Sequence, residues 1–188
     1  MKQEDHFACP KHNMRKVILI AGGGELPNQV VRNFKANKIL FHCISFKNNP
    51  LPKFNNWENY KIINYGKIIT ELNRLKNMGF KDIIMIGNLY RPKISEIKPD
   101  INALKLIPKF TRTLLKGGDN NLLTLIIESL EKLGFKIIDI RNILPENFLG
   151  KGNQTIIKLA DINKQDIKKG QLILNTISKF DIGQSIII

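Results

Sequence analysis

Val17-Ile-Leu-Ile-Ala-Gly-Gly-Gly-Glu-Leu-Pro27 runs straight into Asn28-Gln-Val-Val-Arg-Asn-Phe34, and the rest of the chain is arranged around this stretch. Val17 to Ile20 is a short, β-branched apolar run ended by glycines, the pattern of a strand buried on both faces. Gly22, Gly23 and Gly24 turn the chain. Pro27 fits the first helical position, where a missing N–H costs nothing. Val30, Val31 and Phe34 then keep helical spacing, so the stretch reads as strand, glycine turn and helix. Two readings of the turn stand side by side. Either it packs helix on strand tightly, or its bare backbone and the helix N–H groups receive an anion such as a phosphate.

The dinucleotide fingerprint needs a third glycine and an acidic residue about 20 residues on. Pro27 stands in the third glycine's place, and the second apolar run, Ile39 to Phe46, ends in Lys47-Asn48-Asn49. A nicotinamide cofactor is therefore disfavoured.

Further strands are expected at Tyr60–Tyr65, Lys81–Gly87 and Phe135–Asp139. Helices are expected at Lys67–Met78, stopped by Gly79, at Leu104–Leu115, at Leu122–Leu133, stopped by Gly134, and at Gln165–Phe180. Alternation of this kind implies an α/β fold, a Rossmann-like parallel sheet with flanking helices and strand order 3-2-1-4-5, followed by the start of a second α/β domain. Ligands of such sheets bind beyond the carboxyl ends of the strands. The Gly22–Gly24 turn and the loop Gly87-Asn-Leu-Tyr-Arg91 should then be neighbours. Arg91 has a planar fork suited to phosphate oxygens, or is a surface arginine before a proline. Asp119 is either the cap of the helix from Leu122 or a group facing ligand or metal.

The expected domains are a disordered extension over 1–14, a Rossmann-like domain over 15–142, and a linker with the opening of a C-terminal domain over 143–188. Lys151 to Lys164 reads as linker, and Gln184-Ser-Ile-Ile-Ile188 as a closing strand. The 188 residues carry 30 Lys and Arg against 16 Asp and Glu, a formal charge of +14, which favours anionic partners. The lysines are spread through the chain, which argues for a general bias over a nucleic-acid patch. Cys43 lies in an apolar strand, and Cys9 and His12 have no second pair of ligands to complete a metal site. Two cysteines make no disulfide framework, so a reducing compartment is expected. No apolar run approaches the ~20 residues of a membrane span.

Ile-Ala-Gly-Gly-Gly-Glu-Leu-Pro (20–27), Gly-Asn-Leu-Tyr-Arg-Pro-Lys (87–93), Gly-Gly-Asp-Asn-Asn-Leu-Leu (117–123), Leu-Glu-Lys-Leu-Gly-Phe-Lys (130–136), Ile-Leu-Pro (143–145) and Asp-Ile-Gly-Gln-Ser (181–185) follow one another in order. This succession resembles the LpxI family, the UDP-2,3-diacylglucosamine pyrophosphatases of lipid A biosynthesis. The resemblance implies a hydrolase that cleaves UDP-2,3-diacylglucosamine to UMP and 2,3-diacylglucosamine 1-phosphate (lipid X), with magnesium or another divalent metal. It implies two domains with the ligand between them. Substrate binding would fall to Gly22, Gly23, Gly24, Leu26, Gly87, Arg91, Asp119, Asp181 and Gln184. The catalytic aspartate of the family falls beyond Ile188, so the chain alone is expected to be inactive. The chain departs from the family pattern at Asn120, where an aspartate is usual. The resemblance further implies a cytoplasmic protein held peripherally at the inner membrane, without nucleic acid, and capable of forming a homodimer. The competing expectation is a non-catalytic basic module that binds nucleotides or nucleic acid.

Overall fold

A computed structural model describes residues 15–53, 58–90, 119–150 and 160–178, with single positions 156 and 185. Strands β1 (Lys16–Ala21), β2 (Leu40–Phe46), β3 (Tyr60–Ile63), β4 (Asp82–Ile86) and β5 (Lys136–Ile137) form one sheet in the order β3-β2-β1-β4-β5. Every pairing is parallel, with Val17 opposite Phe41 on one side and Asp82 on the other. The expected strand order is the observed one.

Both faces of the sheet are covered, which is why β1 carries no polar residue between Val17 and Ala21. Val17, Leu19 and Ala21 pack against Val30, Val31 and Phe34 of α1 (Leu26–Ala36), together with Ile138, Ile143 and Leu144. Ile18 and Ile20 turn the other way, onto Leu72 and Leu75 of α2 (Ile68–Asn77) and Leu130 of α3 (Asp119–Lys132). Alternate residues of one strand thus feed two cores.

Two helices stop by the same device. Gly79 and Gly134 have φ of +88° and +81°. The following Phe80 and Phe135 donate their N–H groups back to Leu75 and Leu130, while the glycine N–H groups reach Lys76 and Glu131. This is the Schellman closure, and each phenylalanine buries itself beside the leucine it bonds to. The repeated Leu-x-x-x-Gly-Phe-Lys of residues 75–81 and 130–136 encodes it twice.

Several boundaries differ from expectation. The helix after the glycine turn begins at Leu26, so Pro27 is its second residue. The third strand ends at Ile63 and gives way to a 3-10 turn, Tyr65–Lys67. The fifth strand keeps only two residues, because Asp139 accepts the N–H of Arg141 and bends the chain into the 3-10 turn Ile140–Asn142. The helix expected from Leu122 starts at Asp119, which therefore lies in its first turn and is not a cap before Leu122. The last helix, α4 (Asp161–Ile177), begins inside the stretch read as linker. The boundary at 142 also cuts through packed structure. Ile143 and Leu144 belong to the α1 core, and Asn33 donates to the Ile143 carbonyl. The expected helix at 104–115 and strand at 184–188, and the segment 1–14, lie outside the described residues, apart from Ser185. Among the described residues no helix is long and apolar enough to cross a membrane.

Candidate functional site

Strand order reverses between β1 and β4, and the two glycine loops meet there. The Gly22 N–H continues the sheet by donating to Ile86 O at 2.9 Å. Gly23 and Asn88 then exchange both hydrogen bonds, 3.0 Å from Gly23 N to Asn88 O and 2.8 Å from Asn88 N to Gly23 O. The shared edge expected for these turns is therefore present, and it is welded by backbone.

That weld explains three of the glycines. A Cβ on Gly22 would stand 2.3 Å from the Asn88 carbonyl oxygen, and one on Gly23 would stand 2.4 Å from Pro50 Cβ. Gly87 has φ of +95°, and its Cβ would come within 2.8 Å of the Gly22 and Gly23 backbone. The N–H groups of Gly22 and Gly23 are both committed within the protein, so neither is free to hold a phosphate. Gly24 is different. With φ of +105° it has nothing within 4 Å of its Cβ position, so the approach to the backbone is open there.

The loop after β2 covers one side of the turn. Gly24 bridges to Pro52, and Asn49 accepts the Tyr90 N–H at 2.8 Å. Tyr65 stacks on Phe46 with ring centres 4.2 Å apart and donates its hydroxyl to Tyr90 O. Loops from all four strands β1 to β4 are thus tied together at one edge. Four large apolar side chains in this region are exposed: Leu26, Leu51, Leu89 and Tyr90.

Glu25 occupies the N-cap position of α1, the expected point of anion entry, and makes no capping bond with its side chain. Its carboxylate accepts from Asn28 Nδ2 at 3.0 Å and from Arg32 at 2.5 Å. Those bonds, Asn28 first and Arg32 second, hold its pKa below the ordinary carboxylate value. Glu25 is therefore ionised and already neutralised by Arg32. Asn28 is buried beneath it, with Oδ1 unpartnered.

Of the residues singled out from the sequence, Gly22, Gly23, Gly24, Leu26 and Gly87 come together at this edge. Arg91, Asp181 and Gln184 lie outside the described residues, and Asp119 is placed by its backbone alone. Asn49, Pro50, Asn88 and Tyr90 were not singled out for their contacts, although two prolines so soon after β2 signal a fixed loop. His42, in the middle of β2, packs edge-on to Phe80. Cys43 is fully buried, and burial pushes its thiol pKa far up, so it is no nucleophile.

Residues 16–147 match the family model for the LpxI N-terminal domain. The chain belongs to the LpxI family. It is 29% identical over 177 residues to the UDP-2,3-diacylglucosamine pyrophosphatase LpxI of Caulobacter vibrioides. The alignment covers 93% of this chain and 62% of that relative, so the chain spans a little under two thirds of the relative's length. The LpxI match ends at Asn147, where a further 3-10 turn, Pro145–Asn147, closes against α1 through Asn147 and Gln29.

Among the described residues no three His, Cys, Asp or Glu side chains stand together as metal ligands. Glu25, the acidic side chain at the glycine turn among the described residues, is held by Asn28 and Arg32.

Proposed function

We propose that this chain is the nucleotide-sugar-binding part of a UDP-2,3-diacylglucosamine pyrophosphatase of lipid A biosynthesis. One observation carries the reading beyond family membership. The edge where the loops after β1 and β4 meet leaves Gly24 open to a ligand, and Leu26, Leu51, Leu89 and Tyr90 on the loops tied together there are exposed. An open backbone turn suits a diphosphate, and exposed apolar side chains suit an acylated sugar.

In the proposed reaction a water oxygen bonds to the phosphorus next to the nucleoside. The bond from that phosphorus to the bridging oxygen breaks, and UMP and the acylated sugar 1-phosphate separate. This part of the chain binds and orients. Pro27 has no N–H and those of Asn28 and Gln29 are bonded to Glu25 O, so the Leu26 N–H is the donor proposed to face the diphosphate, with Gly24 letting it approach. Arg91 and Asp119, with Asp181 and Gln184 further along, are proposed as additional substrate contacts. The group that activates water is proposed to come from a second domain that residues beyond 147 begin. The charge of +14 supports work beside an anionic membrane surface.

The test is UMP release from UDP-2,3-diacylglucosamine by purified 1–188 with magnesium or manganese. Turnover should be at least about 100-fold below that of the longer Caulobacter relative, the scale of losing one catalytic group. Comparable turnover would place the catalytic group inside this chain and make Asp119 the first carboxylate to mutate.

A further inference from the structure

A cavity lined by lysines sits at the far edge of the sheet, two strands from the glycine turn. It measures about 250 Å³ and is lined by Lys47, Lys61, Ile62, Ile63, Asn64, Lys67, Thr70 and Glu71. The fold builds it from three places. Lys47 leaves the end of β2 and donates its N–H to Ile63 O at 2.9 Å. Lys61 lies on β3, the outermost strand, and Lys67 caps the first turn of α2.

Glu71 on α2 is 5% exposed, so it is a buried carboxylate. Both its oxygens are engaged: Lys61 Nζ reaches Oε2 at 2.6 Å, and Arg74 reaches Oε1 at 2.7 and 3.1 Å. This pairing fixes the Lys61 ammonium beside the cavity and removes the carboxylate as a repelling charge. Among the described residues Lys47 and Lys67 have no carboxylate partner. Three lysines against one glutamate leave the cavity at net +2, with the amide of Asn64 beside them. Concave walls strengthen such a field relative to scattered surface lysines.

We propose that this cavity is a second anion site that binds a phosphate group, with Lys47 and Lys67 as its two free cations and Lys61 held at its wall. The phosphate comes either from a small phosphate ester or from a lipid head group. Both present the same oxygens, and the experiment separates them.

The probes are inorganic phosphate, glycerol phosphate, and vesicles of phosphatidylglycerol in phosphatidylcholine. Amide resonances of the full 1–188 chain are followed by NMR during titration at constant ionic strength. Phosphate should give saturable shifts at Lys47, Asn64 and Lys67 that chloride does not. The double variant Lys47→Gln/Lys67→Gln should bind at least tenfold more weakly. The control Lys35→Gln/Lys168→Gln, equal in charge change, should bind as the parent does. If glycerol phosphate saturates the site and vesicle co-sedimentation is the same in both variants, the source is a small ester. If co-sedimentation falls only in Lys47→Gln/Lys67→Gln, the source is a lipid head group. Shifts that chloride reproduces, or equal weakening in both variants, would overturn the proposal.

Discussion

One methyl group added at Gly22 lands 2.3 Å from a carbonyl oxygen of the β4 loop, well inside contact distance. Gly22→Ala is therefore expected to lower stability by about 1–3 kcal/mol, the range for overpacking, read as a shift in the urea midpoint with unchanged slope. Gly24→Ala meets no neighbour and carries only the strain of a positive φ, about 1–3 kcal/mol at most. The glycine run was legible in the sequence, but the division of labour within it was not. A glycine shows that a side chain is missing, and only the fold shows whether backbone, proline or open space fills its place. His42 and Glu71 make a second residue-scale prediction. Burial, and then the charge of Arg74, hold the His42 pKa below its ordinary value. Burial would raise that of Glu71, but the hydrogen bonds from Arg74 and Lys61 outweigh it and lower the pKa. Both groups are depressed, so in each case the unfolded chain takes up the proton first. His42 contributes stability that is lost as pH falls below about 6.5, and Glu71 stability that is lost below about 4.3. Thermal midpoints should fall between pH 7.5 and 5.5, and His42→Gln should flatten that fall. An unchanged slope in the variant would show that another group titrates.

At the scale of elements, strands β1 to β4 and their order were readable because each apolar run ends in a glycine or a polar turn. Helix stops were readable at Gly79 and Gly134 because a left-handed C-terminal residue strongly favours glycine. What the sequence concealed was what tertiary contacts decide. Phe135-Lys-Ile-Ile-Asp139 has strand composition, yet Asp139 captures the Arg141 N–H and its side chain, and the strand ends at Ile137. Asp161 to Lys164 is polar enough for a linker, but Asp, Asn and Lys also serve on an exposed helix, and there they open α4. Ile143 and Leu144 looked like the start of a linker, and only the packed structure shows them closing the α1 core. Leu72 is fully buried between α2 and the sheet. Leu72→Ala should cost about 2–5 kcal/mol, the usual range for a large core truncation. A loss under about 1 kcal/mol in denaturant unfolding would mean that α2 is not packed as described.

The whole molecule presents a parallel sheet covered on both faces, a surplus of positive charge and one edge where four loops converge. Parallel sheets leave function to that edge, so its place was readable once the strand order was. The exposed apolar residues were not, since Leu26, Leu51 and the Leu89-Tyr90 pair lie far apart in sequence, and only the fold ties the loops after β1, β2 and β4 that carry them. The central claim is that this edge binds an acylated UDP-sugar. Calorimetric titration of 1–188 with UDP-2,3-diacylglucosamine, set against Gly24→Val and against a single-stranded oligonucleotide of equal charge, tests it most directly. The account predicts saturable binding at one site per chain and at least a tenfold loss, about 1.4 kcal/mol, in a Gly24→Val variant shown to be folded. It also predicts that the oligonucleotide does not displace the UDP-sugar. Undiminished affinity in Gly24→Val, or displacement by the oligonucleotide, would contradict it.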